Sequence, residues 1–325
     1  MWDGGADGGL TPRSSSTRLA SVKIAIFGPT DWCIGEIWRN VAPCVGADII
    51  DWSVSHPRDL FAGYDRVITQ AGEAAKTLRS YDVPREKILV TGNAASDVIG
   101  FLRIEGNEHI REYAGYAVVS DTLAAQSLAI GITRMPSILR HGIDCRRYAS
   151  PIPDRLRTVG YAAVWSRTND HGIEIKRGRL AKEIAGKARL GFRSAANPAE
   201  GGAEYYQARI TPGEKMPDFY RSVDAVIMPS LEEGGGMPMM EGAAAGRLTI
   251  GTPVGEFPRL ACEGMGILAP LGERDFVDFA VGVLGRYAYD DASFREKCRS
   301  IQASAWGRDW SNVIQDWIDF ARGRG

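Results

Sequence analysis

The sequence predicts an α/β protein built as two doubly wound parallel-sheet domains that face each other across a cleft. Short β-branched runs alternate with Ala-rich helical segments, the signature of a parallel sheet covered on both faces. The alternation breaks once, near residues 148–153, and then restarts. A chain of 325 residues is also long for one core and comfortable for two.

In the first half, strands are expected over residues 22–27, 47–53, 64–70, 87–91 and 116–120. Helical segments are expected over 34–41, 73–81 and 121–130. Tyr148-Ala-Ser-Pro-Ile-Pro153 disfavours helix and central strand alike and reads as the linker. Beyond it come strands over 156–161, 190–194, 225–228, 248–250 and 266–268, with a helix around 179–185. A last helical zone begins near Glu273, where Phe276, Phe279, Ala280, Val283, Leu284 and Tyr287 recur at three- and four-residue spacing and mark one buried face. Trp306, Trp310, Ile314 and Trp317 follow at similar spacing. The division is therefore a leader (1–21), a first domain (22–150) and a second domain (151–304), with a terminal helix (305–325) that can pack back on the first domain.

Composition narrows the function classes. A formal net charge of −1 removes the usual electrostatic reason to expect nucleic acid as partner. The five cysteines (Cys33, Cys44, Cys145, Cys262 and Cys298) are scattered and form no CxxC pair or His/Cys cluster. Reduced, mostly buried thiols are expected, with no metal site. No apolar run approaches the ~20 residues that span a bilayer, and the Gly/Ser-rich start lacks the apolar core of a secretory signal. A cytoplasmic protein is the default expectation. Trp32 and Trp38 leave peripheral membrane association as an open alternative.

The chemistry is concentrated in Ala225-Val-Ile-Met-Pro-Ser-Leu-Glu-Glu-Gly-Gly-Gly-Met-Pro-Met-Met-Glu-Gly-Ala-Ala-Ala-Gly246, which reads as strand, loop and helix. Pro238 suits a first helical turn, and Gly246 fits just past the end. Gly234, Gly235 and Gly236 let the backbone approach a bulky ligand at a helix N-terminus, a ready site for phosphate. Glu241 is expected in the first turn, where its carboxylate suits a vicinal diol such as a ribose. Glu233 is expected on the other side, towards a sugar.

This string resembles the retaining glycosyltransferases of family four, the group 1 glycosyltransferases with the GT-B fold and the E-x7-E motif. The resemblance is carried by Pro229-Ser230, Glu233, Gly234, Gly236, Pro238, Glu241 and Gly246. It is extended by residues 249–258 and by His141-Gly-Ile-Asp144 with Tyr148, which is similar to the family's Asn-Gly-Val-Asp…Phe junction. It covers about residue 117 to the end. The resemblance implies a nucleoside-diphosphate sugar as donor, with Glu241 on its ribose, Glu233 by the transferred sugar, and Gly234–Gly236 with Met237 at the diphosphate. The family's phosphate-binding cations map onto Lys176, Arg177 and Arg167. In the first domain, the Gly-rich loop maps onto Gly28-Pro29, and the turn near the sugar onto Gly92-Asn93. None of His56, His109 or His141 fills the family's His position.

The same resemblance implies transfer with retention to an unidentified acceptor (a glycan, lipid-linked glycan, small molecule or protein), without a metal. A non-catalytic nucleotide- or partner-binding GT-B protein is the alternative, and a glycoside hydrolase using Glu233 and Glu241 is a weaker one. A dinucleotide-dependent oxidoreductase is disfavoured, because no GxGxxG follows a first strand.

Overall fold

In a computed structural model of the protein, residues 22–30, 32–169, 171–195 and 215–324 are described; the leader expected over 1–21 lies outside them. The first domain comprises β1 (Ile24–Gly28), α1 (Trp32–Val45), β2 (Ala47–Asp51), β3 (Arg66–Gln70), α2 (Glu73–Ser80), β4 (Ile88–Gly92), α3 (Ala95–Ile110), β5 (Gly115–Val118), α4 (Asp121–Ala129) and β6 (Ser137–Ile138). Its strands form one parallel sheet in the order β2-β1-β3-β4-β5-β6. The apolar runs are continuous because both faces are covered: all five residues of β1 and all five of β4 are buried.

A short helix, α5 (Cys145–Tyr148), leads into the irregular segment that carries Pro151 and Pro153. The second domain comprises β7 (Thr158–Tyr161), α6 (Gly178–Lys187), β8 (Gly191–Ser194), α7 (Met216–Arg221), β9 (Ala225–Met228), α8 (Met237–Ala244), β10 (Leu248–Gly251), α9 (Phe257–Cys262) and β11 (Ile267–Leu268). Its sheet is also parallel, in the order β11-β10-β9-β7-β8. Strand order therefore reverses between β7 and β9, and the loops leaving those two strands flank the switch point where open α/β sheets take ligands.

Three helices close the chain: α10 (Glu273–Tyr289), α11 (Asp291–Ala305) and α12 (Trp310–Ala321). The last helical zone is thus divided, because the Asp290 side chain accepts from the Ser293 N–H and caps a new helix. The buried stripe of α10 is Phe276, Val277, Ala280, Leu284 and Tyr287. Phe279, expected in it, is 37% exposed, since at about 100° per residue it lies on the flank of that stripe. Trp306, also expected to be buried, is exposed in a 3-10 turn before α12. Helix α12 returns to the first domain, where Trp317 meets Trp38 of α1 edge-to-face at 5.9 Å and Phe320 fills the space beside Gly115.

Burial also bears on the tryptophan and cysteine expectations. Trp38 is fully buried and offers nothing to a membrane. Of the described cysteines, Cys145 and Cys298 are buried, whereas Cys44 and Cys262 are exposed on helical surfaces. No described helix is long and apolar enough to cross a membrane, and no described group of three His, Cys, Asp or Glu residues could hold a metal ion.

Candidate functional site

Strand β9 ends at Met228, and the chain then runs through residues 229–236 to the start of α8. Gly236 caps the helix in the left-handed region (φ +62°), which a glycine adopts without the penalty other residues incur. Pro238 sits in the first turn. The other two glycines have a different reason. A β-carbon on Gly234 would come within 1.6 Å of the Asn93 carbonyl oxygen, and one on Gly235 within 2.1 Å of His141 Nδ1. Both neighbours belong to the first half of the chain, so the glycine turn is also a contact between domains. From the second domain, the Glu256 N–H donates to the Gly234 carbonyl at 2.9 Å.

Glu233 has one oxygen engaged. Oε1 accepts from Lys176 Nζ at 2.5 Å and from Ser230 Oγ at 2.7 Å, in a half-buried setting, while Oε2 has no partner among the described residues. The loop carrying Lys176 leaves β7 and folds back through an antiparallel bridge between Thr168 and Glu174. Asn169 Nδ2 donates to Glu232 Oε1 at 2.8 Å and fastens that loop to the glycine segment. Arg167 lies on its exposed surface, and its charge reaches Asp97 of α3. Burial outweighs that attraction and raises the Asp97 pKa to about 6.

Arg177, expected on a phosphate, is 1% exposed. Its guanidinium donates to the carbonyls of Pro229, Ser230 (3.4 Å) and Leu271 (3.1 Å), and its backbone is left-handed. Strand-end and loop carbonyls need donors when buried, so Arg177 braces the loop, and Lys176 is the cation left beside Glu233. Met237 likewise turns its side chain into the core of the second domain, leaving only its backbone at the helix start. Gly28 faces inward: a β-carbon there would come 2.5 Å from Trp38 Nε1, so it lets α1 pack on β1.

Glu241 lies in the second turn of α8, not the first, and is 8% exposed. Tyr148 OH donates to Oε1 at 3.1 Å and Tyr220 OH to Oε2 at 2.6 Å. Burial raises its pKa to about 7 against these two bonds; Glu36 of α1 adds to the rise and Arg147 opposes it. Arg147 itself pairs with Glu36. Glu233 and Glu241 therefore sit in separate environments, one facing a cation and the other two phenols.

Asn93 is buried at the glycine turn. Its Oδ1 meets His141 Nε2 at 3.3 Å, and its Nδ2 donates to Thr91 Oγ1 at 3.3 Å. His141 does reach the site, from the segment between β6 and α5. Burial, aided by the charge of Arg308, lowers its pKa to about 3, so the ring is neutral. Three contributors had no role assigned to them from the sequence. Tyr220 gave no signal, because its role depends on where α7 packs. The hydroxyl of Tyr148 was a polar handle that a buried aromatic must satisfy. His141 adjoined the Gly-Ile-Asp junction and could have been suspected from it.

Two comparisons bear on this geometry. Residues 179–285 match the family described as glycosyl transferases group 1. Among solved structures, Anabaena HepE in complex with UDP-glucose superposes with a TM-score of 0.67 at 14% identity, covering 91% of this chain and 98% of that one. The fold is GT-B. Sucrose-phosphate synthase from Thermosynechococcus elongatus shares it, with a TM-score of 0.64 at 13% identity over 92% of this chain and 98% of that one. So does the lipopolysaccharide outer core galactosyltransferase WaaB, at 0.58 and 14% identity over 93% of this chain and 100% of that one. A search of curated proteins gives no match. The family match falls within the second domain and includes the glycine turn, Glu233 and Glu241.

Proposed function

We propose that this protein is a glycosyltransferase that moves a sugar from a nucleoside-diphosphate sugar to an acceptor held by the first domain, with retention at the anomeric carbon. The observation that carries the reading is the glycine turn at the start of α8, at the switch point of the second sheet, with the Lys176–Glu233 pair at its start and Glu241 in the helix that follows it. The turn and Lys176 would hold the diphosphate, whose charge grows as the glycosidic bond breaks. Glu233 Oε2 would take a sugar hydroxyl, and Glu241 the ribose. The enzyme's contribution is then positioning and leaving-group stabilisation, with attack on the face the diphosphate leaves. In this reading the cations and N–H groups of the protein neutralise the diphosphate, and turnover should persist in a chelator.

Isothermal titration with UDP, GDP and ADP is the first test: at least one should bind wild type, and that binding should be lost in Glu241→Ala. Absence of binding to all three would refute the donor site. Release of sugar from the matching nucleotide sugar, followed by NMR, would give the anomeric outcome. Binding without release or transfer would favour the non-catalytic alternative, and an inverted product would overturn retention.

A further inference from the structure

We infer that His141 is a positioning residue of the donor site: with Asn93, it holds the glycine turn in place from the first domain. The inference rests on the reading that this turn receives the donor diphosphate.

Asn93 Nδ2 is directed at Thr91, a hydroxyl at 3.3 Å and a carbonyl at 3.4 Å, so Asn93 Oδ1 is left to accept from His141 Nε2. The proton of the neutral ring is therefore on Nε2, and Nδ1 is a bare acceptor. Nδ1 is buried, has no partner among the described residues, and abuts the Gly235 α-carbon. Trp317 of α12 lies beside the ring, with centroids 6.4 Å apart and 21° between the planes. Trp317 Nε1 also donates to the neighbouring Arg140 carbonyl at 3.0 Å. Behind Trp317 stands Trp38 of α1.

Leaving a buried acceptor unpaired is unfavourable, and buried polar groups are normally satisfied. An apolar ring would fill the same space without that penalty, which gives the imidazole a purpose beyond volume. Its Nε2–H bond to Asn93 ties the ring to the same residue whose carbonyl contacts Gly234. Asn93 and His141 thus press on adjacent glycines, and both are first-domain residues. The N–H groups of the turn take their direction from this contact, so domain closure and the shaping of the anion site become a single event. A phosphate at the turn feels that shaping, whereas the base and ribose, held elsewhere, do not.

The test compares a nucleoside diphosphate with its monophosphate, using whichever of UDP/UMP, GDP/GMP or ADP/AMP binds wild type, by isothermal titration on the full chain. His141→Ala should weaken the diphosphate by about tenfold while changing the monophosphate by less than about threefold. A merely structural residue would weaken both alike. Gly235→Ala should abolish diphosphate binding, since the new methyl meets Nδ1, and Gly235→Ala/His141→Ala should recover part of it. Asn93→Ala, which opens less of the core, should move the same ratio in the same direction if His141→Ala does not fold. An unchanged ratio in His141→Ala and Asn93→Ala, or no recovery in the double variant, would overturn the inference. If wild type binds none of the diphosphates, the donor-site reading fails and takes the inference with it.

Discussion

Tyr220→Phe deletes one hydroxyl beside Glu241 and leaves the packing of the ring in place. That hydroxyl donates to Glu241 Oε2 at 2.6 Å in a buried site. Glu241 has an ordinary value of 4.5 and a folded-state pKa of about 7, burial being the main cause. Below 4.5 the carboxyl is protonated in both the folded and the unfolded chain. Between there and about 7 the unfolded chain releases the proton and the folded one keeps it, so stability falls as pH rises and levels off above 7. The whole interval corresponds to roughly 3 kcal/mol. Losing the Tyr220 bond should cost about 1.5–3 kcal/mol where the carboxylate is charged, and about 0.5–1.5 kcal/mol where it is neutral. Urea unfolding at pH 8 and pH 5, on wild type, Tyr220→Phe, Glu241→Gln and the double variant, separates the two. The Tyr220→Phe penalty should be larger at pH 8, and that difference should vanish in the Glu241→Gln background. Asp97, which also titrates at about 6, is common to all four proteins and cancels. An equal penalty at both pH values, or a pH-dependent penalty that survives Glu241→Gln, would refute the assignment.

Lys176→Gln removes the cation at 2.5 Å from Glu233 and should weaken nucleoside-diphosphate binding by about tenfold, with a smaller effect on the monophosphate, as read by titration calorimetry. Arg177→Met keeps the stem but deletes the donors to three carbonyls, and should lower stability by about 2–4 kcal/mol in urea. Binding by the protein that remains folded should show no preference between di- and monophosphate losses; selective loss of the diphosphate at unchanged stability would place Arg177 on the ligand. Trp317→Ala empties a fully buried site between Trp38 and His141 and should cost about 3–5 kcal/mol, again by urea unfolding.

The central strands were legible because those such as β1, β4 and β9 are buried on both faces and read as uninterrupted apolar runs. The run from Ala225 to Met228 shows no alternation, and every residue in it is buried. Helix α11 reads in the sequence as a continuation of α10, because only the Asp290 cap separates them. The glycine turn was legible as a shape, since Gly236 needs a left-handed backbone and Pro238 a first turn. What Gly234 and Gly235 avoid was not legible, because Asn93 and His141 are distant in sequence and meet them only once the domains close. Lys176 and Arg177 show the same limit. Two adjacent cations before a glycine are equivalent in sequence, and the fold turns Arg177 inward on a left-handed backbone.

These placements make the site dependent on both halves of the chain. Gly234 and Gly235 rest on Asn93 and His141 of the first domain, and one oxygen of Glu241 is held by Tyr148 at the entrance to the linker. Arg147, next to Tyr148, pairs with Glu36 of α1, and both charges act on Glu241. On the opposite side, Thr122 of α4 donates to the Gly255 carbonyl at 2.8 Å, one residue from the backbone bond that Glu256 makes to Gly234. A motion that separates the domains must therefore disturb the glycine turn and the surroundings of Glu241 together. The family match lies within the second domain, yet the geometry of its glycine turn is completed by residues before it in the chain. Ligand affinity should accordingly respond to substitutions at the domain junction as well as to substitutions in the turn itself.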